Sequence, residues 1–249
     1  MKPTYQRIAY DGLEVANPTC LQTVMALLDQ AELRPEAVAM DIGAGTGAVS
    51  VAMARVQGLT VHAIERDPLL AERITERVRS AGLSDRVHVH AVHAADVLER
   101  LSPVDLVVAL GTTEAAGPGR RAPEATFRAL AGHLKSPGHL LWGDLFWKGE
   151  PPLPLRQIVG LTGDHATNAG WVEAGIAAGL DCVASEVGSD PDWDAYFGGA
   201  DTRVRAWLEA HPEAPENEAI RARADQIRAM FEFGRPYLGF GLYLFRKAP

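Results

Sequence analysis

Apolar residues along this chain follow two alternating rhythms. Short, nearly unbroken apolar runs occur at Val38-Ala39-Met40-Asp41-Ile42, residues 60–65, 87–92, 104–110 and 139–144. Between them, residues 46–57, 68–81 and 122–134 carry apolar positions at helical spacing. Runs of the first kind mark strands buried on both faces, and the alternation predicts βαβ units in a parallel sheet clad with helices. Upstream, Val15, Leu21, Val24, Met25, Leu27 and Leu28 predict a helix over 14–34, with Asn17-Pro18 as its cap and first-turn proline. Gly82 is placed to end the helix over 68–81. The tail differs: residues 181–187 and 237–245 read as strands separated by two amphipathic patterns. One runs through Trp193, Tyr196, Phe197, Val204, Trp207 and Leu208, the other through Ile220, Ala224, Ile227 and Phe231, with Gly198-Gly199 expected to break the first. The expected class is α/β, doubly wound.

Composition sharpens this picture at a few points. The chain has 249 residues, 47% of them hydrophobic and 22% charged, which suits one folded core with an embellishment and argues against disorder. A net charge of −8 gives no diffuse positive field, so a nucleic-acid partner is disfavoured. Two cysteines, Cys20 and Cys182, supply neither a disulfide framework nor a thiolate metal cage, and no metal-ligand spacing stands out. The N-terminus leads into no apolar signal region, and no run approaches the ~18 apolar residues of a membrane span, so a cytoplasmic protein without membrane contact is expected.

The segment Asp41-Ile42-Gly43-Ala44-Gly45-Thr46-Gly47-Ala48 concentrates the chemistry. Glycines at alternate positions turn the backbone from strand into helix and leave no side chain between the loop and a ligand. The helix start behind them offers unpaired N–H groups. Glu65 ends the next strand, where a carboxylate can accept both hydroxyls of a ribose. Asp96 follows the third strand, where it can accept the exocyclic amine of an adenine. Three such groups at successive strand tips converge where an open sheet binds its cofactor. Gly43-x-Gly45-x-x-Ala48 also satisfies a loose dinucleotide fingerprint, so an NAD-dependent oxidoreductase competes. Against it stand Asp41 two residues before the first glycine, the two-residue spacing from Gly45 to Gly47, and the third acid, Asp96. A cofactor-binding protein without turnover is a further alternative.

As a set, Asp41-x-Gly43-x-Gly45-x-Gly47, Glu65 and Asp96 resemble the class I S-adenosylmethionine-dependent methyltransferases over residues 36–147. Asn17-Pro18, Gly111-Thr112, residues 143–147 and the closing residues 237–241 look like a small-molecule bacterial branch related to the quinone-biosynthesis type. The resemblance implies a Rossmann-like, doubly wound sheet of seven strands, mostly parallel, with an antiparallel last strand and an α-helical insertion before it. Residues 1–35 would form an N-terminal helical cap, and 36–249 the methyltransferase domain with a helical lid at 188–236. The cofactor would be S-adenosyl-L-methionine, leaving as S-adenosyl-L-homocysteine. Gly43, Ala44, Gly45 and Gly47 would line its methionine and ribose part, and Asp41 would meet the methionine amino group directly or through water. Glu65 would bind the ribose diol with Arg66 near the adenine, Asp96 and Val97 would hold the adenine edge, and Leu110-Gly111 would pass beneath the sulfonium. Thr112, Thr113 and Glu114 would face the substrate.

In-line displacement at a reactive methyl needs alignment and exclusion of water before it needs a base. The catalytic group is therefore open, with Asp144, Glu114 and His165 as candidates. Trp147, Trp193, Tyr196 and Tyr237 are candidates for a substrate wall. The loop after the fourth strand, Gly111-Thr112-Thr113-Glu114, lacks the Asn/Asp-Pro-Pro-aromatic pattern of amino-methylating nucleic-acid enzymes, and two separated cysteines do not suit arsenic methylation. A small organic methyl acceptor is expected; the oligomeric state is not determined by these features.

Overall fold

The computed structural model describes residues 2–112, 114–117, 119 and 122–249. Its strands are β1 (Val38–Ile42), β2 (Thr60–Ile64), β3 (Val87–His90), β4 (Val104–Leu110), β5 (Leu134–Trp147), β6 (Leu180–Val187) and β7 (Leu238–Lys247). They form one sheet in the order β3-β2-β1-β4-β5-β7-β6. Strands β1 to β5 pair in parallel, and β7 runs antiparallel to both β5 and β6. The sheet is thus seven-stranded and mostly parallel, as expected, and its order reverses at the seam between β1 and β4. The helices are α1 (Tyr5–Ala9), α2 (Leu21–Asp29), α3 (Ala48–Val56), α4 (Pro68–Ser80), α5 (Leu98–Leu101), α6 (Pro123–Gly132), α7 (Leu153–Val159), α8 (Asn168–Ala177), α9 (Asp190–Ala210) and α10 (Asn217–Gly234). Among the described residues no helix is long and apolar enough to cross a membrane.

Alternation along each strand divides the core between the two faces of the sheet. On one face Ala39, Val61, Leu106, Val108 and Leu141 meet Val24 and Leu28 of α2, Met53 of α3 and Ile74 of α4. On the other, Met40, Val107, Leu140 and Trp142 meet Phe127 and Leu130 of α6 and Trp171 of α8. There the Phe127 ring stands edge-on to Trp142 at 5.4 Å. Burying each such side chain stabilises the fold by roughly 1.5–3 kcal/mol. A third cluster lies apart from the sheet: Tyr5 and Ala9 of α1 pack on Ala200, Val204 and Leu208 of α9 and on Ile220 and Ala224 of α10. Helix α1 therefore belongs physically to the helices inserted before β7, while α2 belongs to the sheet.

Three elements depart from expectation. The helix over 14–34 is only Leu21–Asp29, with Cys20, not Asn17, at its N-cap. Residues 14–19 form successive bends tied down by tertiary bonds instead: the Thr46 hydroxyl donates to the Glu14 carbonyl at 2.5 Å and the Asn17 amide to the Leu110 carbonyl at 3.3 Å. Gly198-Gly199 does not break α9, which runs unbroken through 21 residues. A Cβ on Gly199 would lie 3.1 Å from Leu13 Cδ2, so that glycine serves close packing of the N-terminal segment. Strand β5 begins at Leu134, not after Pro137-Gly138, because the β4–β5 register shifts between Val104 and Leu106 and absorbs those residues as an irregularity. Helices α1, α5, α7 and α8 are additional to the expected elements.

Candidate active site

The strand tips at the β1–β4 seam open into a cleft of about 660 Å³. Its floor is the loop after β1, where Gly43 and Gly45 have φ of 72° and 55°. The Gly43 and Ala44 N–H groups donate to the Ile64 carbonyl at 2.9 and 3.0 Å, which ties the loop to the end of β2. A Cβ on Gly43 would stand 3.0 Å from the Thr112 Cβ, so the loop also lies directly against the tip of β4. Gly43 and Gly45 line the cleft.

Glu65, one residue past β2, is 8% exposed and lies at the cleft's centre. One carboxylate oxygen accepts the Gly45 N–H at 3.0 Å and the other the Asp67 N–H at 2.9 Å. Burial raises its pKa, and these two backbone donors oppose the rise. Each oxygen retains a lone pair for a further donor. At one end of the cleft, Asp96 and residues 92–95 form the wall. At the other, Leu110, Gly111 and Thr112 close it. Arg66 and Glu114 form an exposed ion pair at 2.7 Å on the rim.

The N-terminal segment supplies a roof, with Thr4, Gln6, Tyr10, Ala16 and Asn17 all facing the cleft. The Tyr10 and Tyr196 side chains are hydrogen-bonded, and burial, then the nearby Glu65 charge, raises the Tyr10 pKa. Arg7 donates to Asp67 at 2.8 Å. Burial pushes the Asp67 carboxyl up, but Arg7 and the Leu69 and Leu70 N–H groups outweigh it and hold the pKa below the usual range.

Some expected ligands lie elsewhere. Asp41 is 4% exposed, does not line the cleft, and accepts the Ser50 hydroxyl at 2.5 Å. Burial raises its pKa to about 6, with the Ser50 hydrogen bond opposing and Glu65 adding to the rise. It braces the glycine loop from behind, and any contact with a ligand's amino group would be indirect. Gly47 is the left-handed N-cap of α3, and a Cβ there would lie 2.8 Å from Ile74 Cγ2, so helix packing explains it. Ala44 does not line the cleft; it packs against the core on the α2–α4 face of the sheet. Val97 is 3% exposed and packs in the core beneath the Asp96 turn. Thr113 lies outside the described residues. Conversely, Tyr10 and Asn17 are cleft residues that sequence reasoning missed or read as a helix cap.

Residues 40–140 match a family model described as a methyltransferase domain. The uncharacterized protein YjhP of Escherichia coli K12 is 27% identical over 233 residues, 92% of each chain. Its X-ray structure matches with a TM-score of 0.83 at 25% identity, covering 99% of this chain and 100% of that one. A crystal structure of an S-adenosylmethionine-dependent methyltransferase from Thiobacillus denitrificans, in complex with S-adenosyl-L-homocysteine, matches with a TM-score of 0.84 at 23% identity over 98% of both chains. The fold is that of the class I S-adenosylmethionine-dependent methyltransferases.

In this methyltransferase fold a second cavity, of about 200 Å³, adjoins the first at the tips of β4 and β5. Glu114 lines both. Gly119, Thr126, Trp142, Asp144, Trp171 and residues 161–164 also line the smaller one. His165 lies behind Asp144 with its side chain 2% exposed, its Nδ1 3.5 Å from Asp144 Oδ1. The structure thus brings Asp144, Glu114 and His165 to one locality. The four expected wall aromatics line neither cavity. Trp193 is 2% exposed and packs edge-on to Phe231, Tyr196 bonds Tyr10, and Trp147 and Tyr237 pack on the sheet-face core. All four are taken up by the apolar core on the α2–α4 face of the sheet. Trp142 and Trp171 take the wall positions instead.

Proposed function

We propose that the chain transfers the methyl group of S-adenosyl-L-methionine to a small-molecule acceptor. The observation that carries this reading is the buried Glu65 carboxylate at the β2 tip, with free lone pairs, above a glycine floor. That is a cradle for a ribose diol in which a side chain on Gly43 would collide with Thr112. Gly43 and Gly45 would hold the ribose and methionine part, Asp96 the adenine edge with Arg66 beside it, and Leu110-Gly111 the sulfur end. When bound, the cofactor supplies an electrophilic methyl carbon. The chain's part is to orient it, and to exclude water with the roof of residues 4–17, which α9 backs through the Tyr10–Tyr196 bond. An acidic surface and a cleft of this size favour a small acceptor over nucleic acid, and a cytoplasmic setting suits the reading.

Isothermal titration tests it. S-adenosyl-L-homocysteine should bind with one site per chain and raise the melting temperature, while NAD should do neither. Binding of NAD in preference would transfer the reading to a dinucleotide enzyme. Binding of the homocysteine product with no methylated product from any acceptor would favour a protein without turnover.

A further inference from the structure

Strands β4 and β5 stay joined as far as Gly111, whose N–H donates to the Gly143 carbonyl at 2.7 Å. Asp144 is therefore the first β5 residue past the joint, beside the end of the cleft assigned to the sulfur. It projects to the α6 side of the sheet, into the smaller cavity. Several groups there have unmet capacity. Asp144 Oδ1 accepts the Leu145 N–H at 2.7 Å, and among the described residues no donor reaches Oδ2. Trp142 Nε1–H is buried and has no acceptor among the described residues. Leu161, on the cavity rim, is 76% exposed, an apolar side chain with nothing covering it.

The hydrogen bonds behind Asp144 fix the tautomer of His165. Thr162 Oγ1 lies 2.7 Å from the Val159 carbonyl and 2.9 Å from His165 Nε2. A carbonyl only accepts, so the hydroxyl hydrogen goes to Val159 and the oxygen must accept Nε2–H. Neutral His165 then carries a lone pair on Nδ1, which is buried, unpartnered, and 3.5 Å from Asp144 Oδ1. Two acceptors thus face each other with no donor between them among the described residues.

We infer that this cavity receives the methyl acceptor, a single-ring hydroxyaromatic compound of the phenol or catechol class, and that Asp144 backed by His165 takes its hydroxyl proton. The inference rests on the methyl-transfer reading above. The indoles of Trp142 and Trp171, 5.4 Å apart, and the Leu161 side chain provide apolar walls for one flat ring. Asp144 Oδ2 serves the reacting hydroxyl, and Trp142 Nε1–H serves a neighbouring oxygen. In the step, the hydroxyl proton passes to Asp144 and is shared with His165. The oxygen forms the O–CH3 bond, the S–CH3 bond breaks, and its electron pair stays on sulfur. The products are an aryl methyl ether, S-adenosyl-L-homocysteine and one proton. Asp144 is the catalytic residue here and His165 a positioning residue.

The test is titration calorimetry of catechol into the full chain saturated with S-adenosyl-L-homocysteine. Wild type should bind catechol saturably. Asp144→Asn should weaken it at least tenfold, and Trp142→Phe, which keeps a ring and deletes the N–H, severalfold. Both variants should retain wild-type affinity for S-adenosyl-L-homocysteine, which also reports that they fold. With S-adenosyl-L-methionine and catechol, wild type should form the monomethyl ether. His165→Asn, which removes the acceptor behind Asp144, should lower kcat severalfold while leaving the KM for catechol nearly unchanged; an unchanged kcat would deny His165 its positioning role. Among the described residues, the other titratable groups facing Asp144 are Glu114, Asp164 and Tyr243, unchanged in every variant. No catechol binding, binding indifferent to both cavity variants, or tighter binding of aniline or thiophenol would overturn the assignment. If S-adenosyl-L-homocysteine itself fails to bind, the methyl-transfer reading falls and takes this inference with it.

Discussion

Gly111→Ala isolates the joint between the N-terminal segment and the cofactor cleft. Gly111 has φ of 62°, and a Cβ there would stand 2.1 Å from Asn17 Oδ1 and 3.0 Å from its Cγ. Three effects enter. The left-handed backbone costs an alanine about 1–2 kcal/mol. Reduced freedom of the unfolded chain offsets about 0.4–1 kcal/mol of that. Expelling the Asn17 side chain loses its bond to the Leu110 carbonyl, worth about 0.5–1.5 kcal/mol. The net destabilisation is about 0.5–3 kcal/mol. The third effect alone depends on Asn17, so the same substitution in an Asn17→Ala background should cost less by about 1 kcal/mol. Urea unfolding of the four proteins closes the cycle, and S-adenosyl-L-homocysteine affinity should fall in every variant, since Asn17 and Gly111 both line the cleft. Strictly additive costs would show that Asn17 does not sit over Gly111, and would refute the placement of the segment as a roof.

Glu65→Gln leaves one acceptor oxygen for the Gly45 and Asp67 N–H groups, so one donor faces an amide NH2. Calorimetry should show S-adenosyl-L-homocysteine binding weakened by about 1–3 kcal/mol, roughly five- to 150-fold, and an unchanged Kd would remove Glu65 from the site. Asp41→Asn keeps an acceptor for Ser50 without a buried charge. The wild-type carboxyl, raised to about 6, contributes stability below its unfolded pKa of about 4 and loses it as pH rises through 6. The variant, which does not titrate, should therefore gain on wild type between pH 4 and 7 by at most on the order of 3 kcal/mol, and parallel melting curves across that range would contradict the burial argument. Gly175→Ala would place a Cβ 2.2 Å from Phe245 Cε1 in a packed core. A loss of about 1–3 kcal/mol in urea unfolding is expected, and a neutral result would mean α8 sits farther from β7 than described.

The arrangement of the sheet was legible because hydrophobic period is a local property of the chain. Runs such as Val104–Leu110 declare a buried strand wherever they occur, and their alternation with helices leaves few topologies. Glycine spacing and strand-tip acids marked the cleft for the same reason, and Glu65 and Asp96 are in its wall. That signal could not separate ligand contacts from the groups that brace them. Asp41 and Gly47 belong to the same motif as Gly43, yet one bonds Ser50 and the other makes room for Ile74. Tyr10 and Asn17 were hidden because they reach the cleft from a segment tied down by bonds to Leu110 and Tyr196, far away in sequence. The smaller cavity is hidden more deeply still. Trp142, Asp144, Trp171 and Glu114 meet only because β5 lies beside β4 with α6 and α8 packed against one face, and no spacing along the chain encodes which side chains that packing leaves unpaired. Side-chain type and period fix the elements, whereas the empty space between them, and the polar atoms it strands, exist only after the elements have packed.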